Sequence, residues 1–190
     1  MANLILRQQG TTAGYNTTDG WVALQVDDSG NLNTAINSGS VVKTITIANT
    51  ATTYAAADCV GTLTEITNVP TNSNGVALLE SITIRDSDNV KATLDFLIFV
   101  STPTGTFTND SAPTITAAEF AKAKAKIRIP NPDSAQSYLT VNSKAIYCLP
   151  NAGILIQPTT TSLFVLVLAT AAHVFSNASA LAIDFGFIQD

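Results

Sequence analysis

From Val41 onward, apolar residues recur at every second position in short runs, and this period of two constrains the fold more than any other feature. Side chains alternate between the two faces of a β-strand, whereas a helix needs apolar residues three and four apart. In VVKTITIA (41–48), Val41, Ile45 and Ile47 share one face, and Val42, Thr44 and Thr46 share the other. CVGTLTEITNV (59–69) and GVALLESITIRD (75–86) follow, separated by a loop from Pro70 to Asn74, and Asp86 to Asn89 turn the chain into VKATLDFLIFV (90–100). SYLTVNSKAIYCL, GILIQ, SLFVLVLATA and SALAIDFGFI complete the series. Two runs drop the alternation: LDFLIFV (94–100) and the 13 residues LFVLVLATAAHVF (163–175) are almost continuously apolar, which predicts strands buried on both faces. About nine or ten short strands at regular spacing predict an all-β fold, an antiparallel β-sandwich of jelly-roll type.

One segment leaves the pattern. Thr116-Ala-Ala-Glu119 is a capping box in which Glu119 can reach back to the Thr116 N–H, and Ala117, Ala118, Ala121 and Ala123 favour one short helix. Beyond it, Lys122, Lys124, Lys126 and Arg128 alternate with Ala and Ile. Extended, this stretch presents a basic strand face, suited either to docking on an acidic surface or to protecting a sheet edge with lysines.

The first 40 residues read as a separate region. Met1 to Gly20 is rich in Gly, Thr and Asn and predicts an irregular arm, while WVALQVDDSGNLNTAI (21–36) predicts a β-hairpin turning on Asp27, Asp28, Ser29 and Gly30. Asn37 to Ser40 forms a flexible joint. The predicted division is therefore an N-terminal arm and hairpin over residues 1–40 and a β-sandwich over residues 41–190.

Composition narrows the surface chemistry. Only 12% of residues are charged, against roughly 25% in typical soluble domains. With 27 Thr, 14 Ser and 15 Asn, the surface is hydroxyl and amide rather than charge. Such a surface repels other proteins weakly and suits close neighbours or further copies of the chain. Nine Lys and Arg against a net charge of −5 leave no basic face for phosphate, so no nucleic-acid partner is expected. The start, MANLILRQQGTTAG, has Arg7 and two Gln where a signal peptide needs an apolar core, so no secretion signal is expected. The longest apolar run is too short to cross about 30 Å of hydrocarbon, so no membrane partner is expected. Cys59 and Cys148 are expected to stay unpaired as small buried hydrophobes.

Candidate chemistry is thin. His173 is the only histidine, and no GxSxG elbow accompanies it, so it reads as a loop-edge or sheet-packed residue rather than a catalytic base. Zinc would need a CxxC or HExxH, neither of which occurs. Asp86, Asp88 and Asn89 resemble half of a calcium loop without its Gly and bidentate Glu, and read as a polar turn, as do Asp27 and Asp28. Asp95, Glu80, Glu65 and Asp184 are the carboxylates from which a glycosidase pair could be drawn, but each has a plain account as an outward or strand-end acid. Glycine-rich phosphate loops are absent. The expected site inventory is empty: no catalytic, cofactor-binding or metal residues and no cofactor.

The string GVALLESITIRDSDNVKATLDFLIFVSTPTGTFTNDSAP, the following TAAEFAKAKAKIRIP, the lead-in DGWVALQVDDSGNLNTAI and the terminus SALAIDFGFIQD resemble small tailed-bacteriophage virion structural proteins. The resemblance covers most of residues 19–190 and carries no catalytic residues. It implies a virion location on the capsid surface, after assembly in the host cytoplasm. The implied role is that of a decoration (cement) protein whose partners are the major capsid protein and further copies of itself, commonly as a trimer. The alternative it implies is a head or tail fibre module binding host-surface glycans, using Thr102 to Asp110 with Tyr15 or Trp21 as stacking platforms.

Overall fold

The computed structural model describes residues 12–17, 20–25, 39–131 and 138–189. The chain divides into two compact units, residues 1–37 and 38–190. In the first, β1 (Thr12–Thr17) pairs antiparallel with β2 (Gly20–Gln25), in register from Thr12 opposite Gln25 to Thr17 opposite Gly20. For Thr12–Thr17 the expectation of an irregular arm is corrected: these residues form a strand, in which β-branched Thr12 and Thr17 and aromatic Tyr15 are types that favour extended backbone. The turn predicted at Asp27 to Gly30, and the strand predicted after it, lie outside the described residues.

The second unit is an antiparallel β-sandwich. Its strands are β3 (Gly39–Ile47), β4 (Thr53–Tyr54), β5 (Thr64–Ile66), β6 (Ala77–Asp86), β7 (Leu94–Phe99), β8 (Ala123–Ile129), β9 (Tyr138–Val141), β10 (Lys144–Leu149), β11 (Ile154–Ile156), β12 (Leu163–Ala169), β13 (His173–Val174) and β14 (Leu181–Gln189). One sheet runs β3-β14-β6-β10-β9, with β11 added along β6, and the other runs β5-β12-β7-β8. A short pair, β13-β4, closes one corner.

The alternation in the sequence becomes the division between core and surface. On β14, Leu181, Ile183, Phe185 and Phe187 are buried, while Ala182, Asp184, Gly186 and Ile188 point the other way and are half-buried. On β6, Leu79, Ile82 and Ile84 are buried. The parity shifts once, at a bulge where Gly186 opposes Ser81 and Phe187 opposes Leu79, so that Glu80 is the extra residue. Leu94, Phe96, Ile98, Val165, Val167 and Ile127 supply the facing side of the core. The sheets meet edge to face at Phe96 and Phe185, with ring centroids 6.1 Å apart and planes at 78°. Each such buried side chain contributes about 1.5–3 kcal/mol through apolar area removed from water.

The two continuous apolar runs are buried on both faces. Phe99 and Leu166, on the outer side of the smaller sheet, join Cys59 in a second small core covered by Leu63 and Phe107. The run 163–175 nevertheless does not form one strand: it bends after Ala169 and resumes as β13, paired with β4 through His173 and Tyr54. SYLTVNSKAIYCL is likewise a hairpin, turning on Asn142 (φ 50°) and Ser143 (φ 60°), the left-handed pair that a two-residue hairpin turn requires.

The predicted helix is α1 (Ala117–Phe120), and Thr116 caps it, its hydroxyl accepting from the Glu119 N–H at 3.2 Å. Only this half of the capping box forms. The Glu119 carboxylate turns away to another partner.

Candidate functional site

The carboxylates singled out in the sequence do not converge. Asp95 lies on the outer face of the smaller sheet, its side chain only 7% exposed. It accepts a bidentate pair from Arg128 (Nε to Oδ1 at 2.8 Å, Nη2 to Oδ2 at 2.9 Å), and Lys126 Nζ lies 2.8 Å from Oδ2. The Arg128 hydrogen bonds, joined by Lys126 and opposed by burial, hold its carboxyl below the usual carboxylate range. An acid locked ionised between two cations has no proton to give. Asp184 lies on the outer face of the other sheet, with the sandwich core, about 10 Å thick, between it and Asp95. Glu65 shares a sheet with Asp95, but the register places it two strands across and four residues along. Glu80 is exposed at the bulge on β6.

The threonine-rich segment after β7 packs on the smaller sheet instead of standing free. Glu119 holds it from one side, accepting from Thr104 N at 2.7 Å and Thr104 Oγ1 at 2.5 Å, with Lys122 Nζ 3.2 Å away. The Thr104 hydroxyl is the chief cause that keeps the Glu119 carboxyl low, reinforced by the Thr104 N–H and Lys122 and opposed by burial. Asn109 holds the segment from the other side, its Oδ1 accepting from Tyr54 OH at 2.8 Å and Gly61 N at 2.6 Å, and its Nδ2 donating to Thr50 Oγ1 at 2.9 Å. Gly105 approaches the Thr114 carbonyl so closely that a β-carbon there would collide with it. Thr104 and Asn109 thus bond to distant partners, not locally as their composition suggests, because the loop closes over a sheet and its polar groups must be satisfied there.

Other expected features fall into place around this frame. Asp86 accepts from Asp88 N at 2.9 Å and Lys91 N at 2.7 Å, the polar turn expected of that stretch. Asp88 in turn accepts from Ser176 N at 2.6 Å and Asn177 N at 2.8 Å. Burial pushes its carboxyl up, but the Asn177 backbone and side-chain N–H groups and the Ser176 N–H together hold it low. Burial pushes His173 below its ordinary value, partly offset by a hydrogen bond with the Thr93 backbone, and its Nε2 is buried without a partner. Both cysteines are free, as expected. Burial, and secondarily Asp58, raises the Cys59 thiol to about 11. The expectation that both are buried is corrected for Cys148, which is exposed on the outward side of β10. Of the four residues of the predicted basic face, Lys124, Lys126 and Arg128 are exposed on β8, the edge strand of the smaller sheet, while Lys122 precedes the strand and pairs with Glu119. Among the described residues no group of His, Cys, Asp and Glu is placed to hold a metal, and no helix is long and apolar enough to cross a membrane. Tyr15 and Trp21 lie on β1 and β2, and their side chains are outside the described residues.

What remains open is the outer face of the larger sheet. Register sets three rows across it: Val42, Gly186 and Ser81; then Thr44, Asp184, Thr83 and Cys148; then Thr46, Ala182, Arg85, Ile146 and Leu139. Val42 is 63% exposed, Leu139 57%, Leu155 57% and Ile146 43%. Arg85 Nη2 and Thr44 Oγ1 both donate to Asp184 Oδ1 at 2.6 Å, tying three adjacent strands together. Beside this network a groove of about 470 Å³ runs between Thr46, Arg85, Lys144 and Ile146 to the loops at Ser87 and Ser179. A second, of about 250 Å³, adjoins it under Leu139 and Asn142. Sequence reasoning passed over this face because none of its residues belongs to a motif. The available signal was Leu139 and Ile146 at outward positions, visible only once the hairpin is placed. No protein-family model matches the chain, and no curated protein matches it.

Proposed function

We propose that this chain is a non-enzymatic structural protein of a tailed-bacteriophage virion, a decoration (cement) protein that binds the outside of the major capsid shell and stabilises it together with further copies of itself. The observation that carries this reading is the contrast between the sandwich's two outer faces. One is closed by the chain's own loop. The other exposes Val42, Leu139, Leu155 and Ile146 among threonines and few charges. Such a surface suits a protein that works by adhesion. The strand order β3-β14-β6-β10 facing β5-β12-β7-β8 further supports reading the sandwich as a jelly roll, an architecture common in capsid domains. The separation of Asp95 from Asp184 and Glu65 supports a role without catalysis, and the clamped Thr102 to Asp110 loop favours shell binding over a glycan-binding fibre.

The test adds the purified protein to particles that lack it. Saturable binding over the whole head, with release of the genome delayed to higher temperature, is the expected result. Absence of binding, or labelling confined to the tail, overturns the reading.

A further inference from the structure

Among the described residues the outer edge of β8 is unpaired, and we infer that it takes up an extended acidic segment of a partner protein as an added strand of the smaller sheet. This contact does not depend on the virion reading. It rests on the backbone and the charges of that edge.

The backbone comes first. β8 pairs with β7 on one side and with no described strand on the other. In an antiparallel ladder the N–H and C=O groups of alternate residues point to opposite sides, so about half of those between Lys124 and Ile129 point away from β7. Such a rim is a template for a further strand. Ile127 and Ile129 are buried beneath it, so the rim is held in place by the core and has no ordering to undergo when a partner arrives.

Charge selects the strand. Four of the nine Lys and Arg fall between positions 122 and 128, on a chain of net charge −5. Lys122 is taken up by Glu119 and the Thr102 carbonyl. Lys124, Lys126 and Arg128 are exposed at every second position of β8. That repeat, about 6.6 Å, is also the spacing of same-face side chains on any strand laid beside it. A segment in which acidic residues alternate with small or apolar ones therefore sets a carboxylate beside each cation and its other residues beside Ala125, Ile127 and Ile129.

Asp95 prepares the cations for this. It draws Lys126 and Arg128 over β7, away from the rim, and Arg128 uses only two of its five N–H donors there. A carboxylate on the far side completes a row of acid, cation and acid across three strands. Lysines on an edge ordinarily turn other strands away, and here they turn away apolar and basic ones while favouring an acidic one. A phosphate chain has no N–H to meet the outward carbonyls of the rim, so a polypeptide is favoured over a nucleic acid.

Titration of the full chain with an end-blocked peptide of alternating Glu and Val, followed by hydrogen exchange, tests the contact. In the free chain every second amide from Lys124 to Ile129 is expected to exchange fast, and saturating peptide is expected to slow those amides at least about tenfold. Lys124→Glu, which leaves the Asp95 pairs intact, is expected to raise the dissociation constant roughly five- to tenfold without changing the melting temperature. A peptide of alternating Glu and Pro keeps the charge but removes half of the N–H donors and resists strand pairing, and it is expected not to bind. Absence of binding at about 1 mM of the Glu and Val peptide overturns the inference. Equal binding of the Glu and Pro peptide, equal binding by the Lys124→Glu chain, or tighter binding of oligothymidylate does the same, since charge alone or a different polyanion would then account for the edge. So does protection of all these amides in the free chain, because the chain's own residues would then occupy the rim.

Discussion

The two sheets of the sandwich share one core and treat their outer faces in opposite ways. Outside the smaller sheet, Phe99, Leu166 and Cys59 are sealed under Leu63 and Phe107, and Asp95 is sealed under two cations. Outside the larger sheet, Val42, Ile146 and Leu139 stand in solvent. The composition of the strands matches this difference. β7 and β12 are apolar at nearly every position, whereas β14 and β6 alternate, so the period of a strand reports how many of its faces the chain itself will cover. The closed face is mostly covered within one chain, leaving exposed the cations of β8 and, on α1 beside the covering loop, Phe120. On the open one, Val42, Leu139, Leu155 and Ile146 stay exposed.

Substitution should expose that asymmetry. Leu166→Ala, in the closed second core, is expected to destabilise the fold by about 3 kcal/mol, lowering the melting temperature by roughly 6–12 °C in calorimetry. Asp95→Ala strands two cations, but Lys126 and Arg128 are both more than half exposed, so water replaces much of what is lost. A loss of roughly 1–2 kcal/mol in urea titration is expected. Thr104→Val removes one clamp of the covering loop while sparing the strands. The expected cost is about 1 kcal/mol, with faster hydrogen exchange confined to residues near 100–110. Ile146→Ala, on the open face, should change the stability of the single chain by less than about 0.5 kcal/mol. A large loss there would mean that the face is already covered from within.

Acid probes the same contrast, because the shifted groups lie at the closed corner, against the covering loop and beneath the cations of β8. His173 is held below its ordinary value of 6.5, so the unfolded chain takes up a proton that the folded chain declines. Stability is full above that value and falls as pH drops through it toward the folded value. Asp95, Asp88 and Glu119 are held low, so their contribution is present at neutral pH and is lost further down, as pH falls below ordinary carboxylate values. His173→Gln should remove the first of these two declines and leave the second, as read from melting temperature against pH.

Much of the fold was legible because burial in a sheet leaves a period in the sequence. The runs at 41–48, 75–86 and 179–188 became β3, β6 and β14, with Ile45 and Ile47 of the first buried on the face they were expected to share. The failures came where a turn is made by backbone conformation rather than by composition. Asn142 and Ser143 turn a hairpin inside what reads as one run, and Thr170 to Ala172 bend another with no Gly or Pro to mark the place. The loop after β7 was legible as a loop, but not its anchors. Glu119 and Asn109 reach partners 15 to 59 residues away, and such pairing is set by topology. Asp95 illustrates the same limit: its ionised, paired state depends on β8 lying beside β7. The open face was the least legible feature, since it is defined by register between strands distant in the chain.

β14 lies between β3 and β6, and Thr44 bonds to Asp184 across 140 residues of sequence. Until residues 181–189 have left the ribosome, β3 and β6 have no strand to join them, and the larger sheet cannot close. Such non-local pairing makes folding slow, and the incomplete chain meanwhile exposes the edges of both strands. Completion of this sheet therefore waits for residues 181–189, and any surface that depends on all of its strands in register forms only after they have been made.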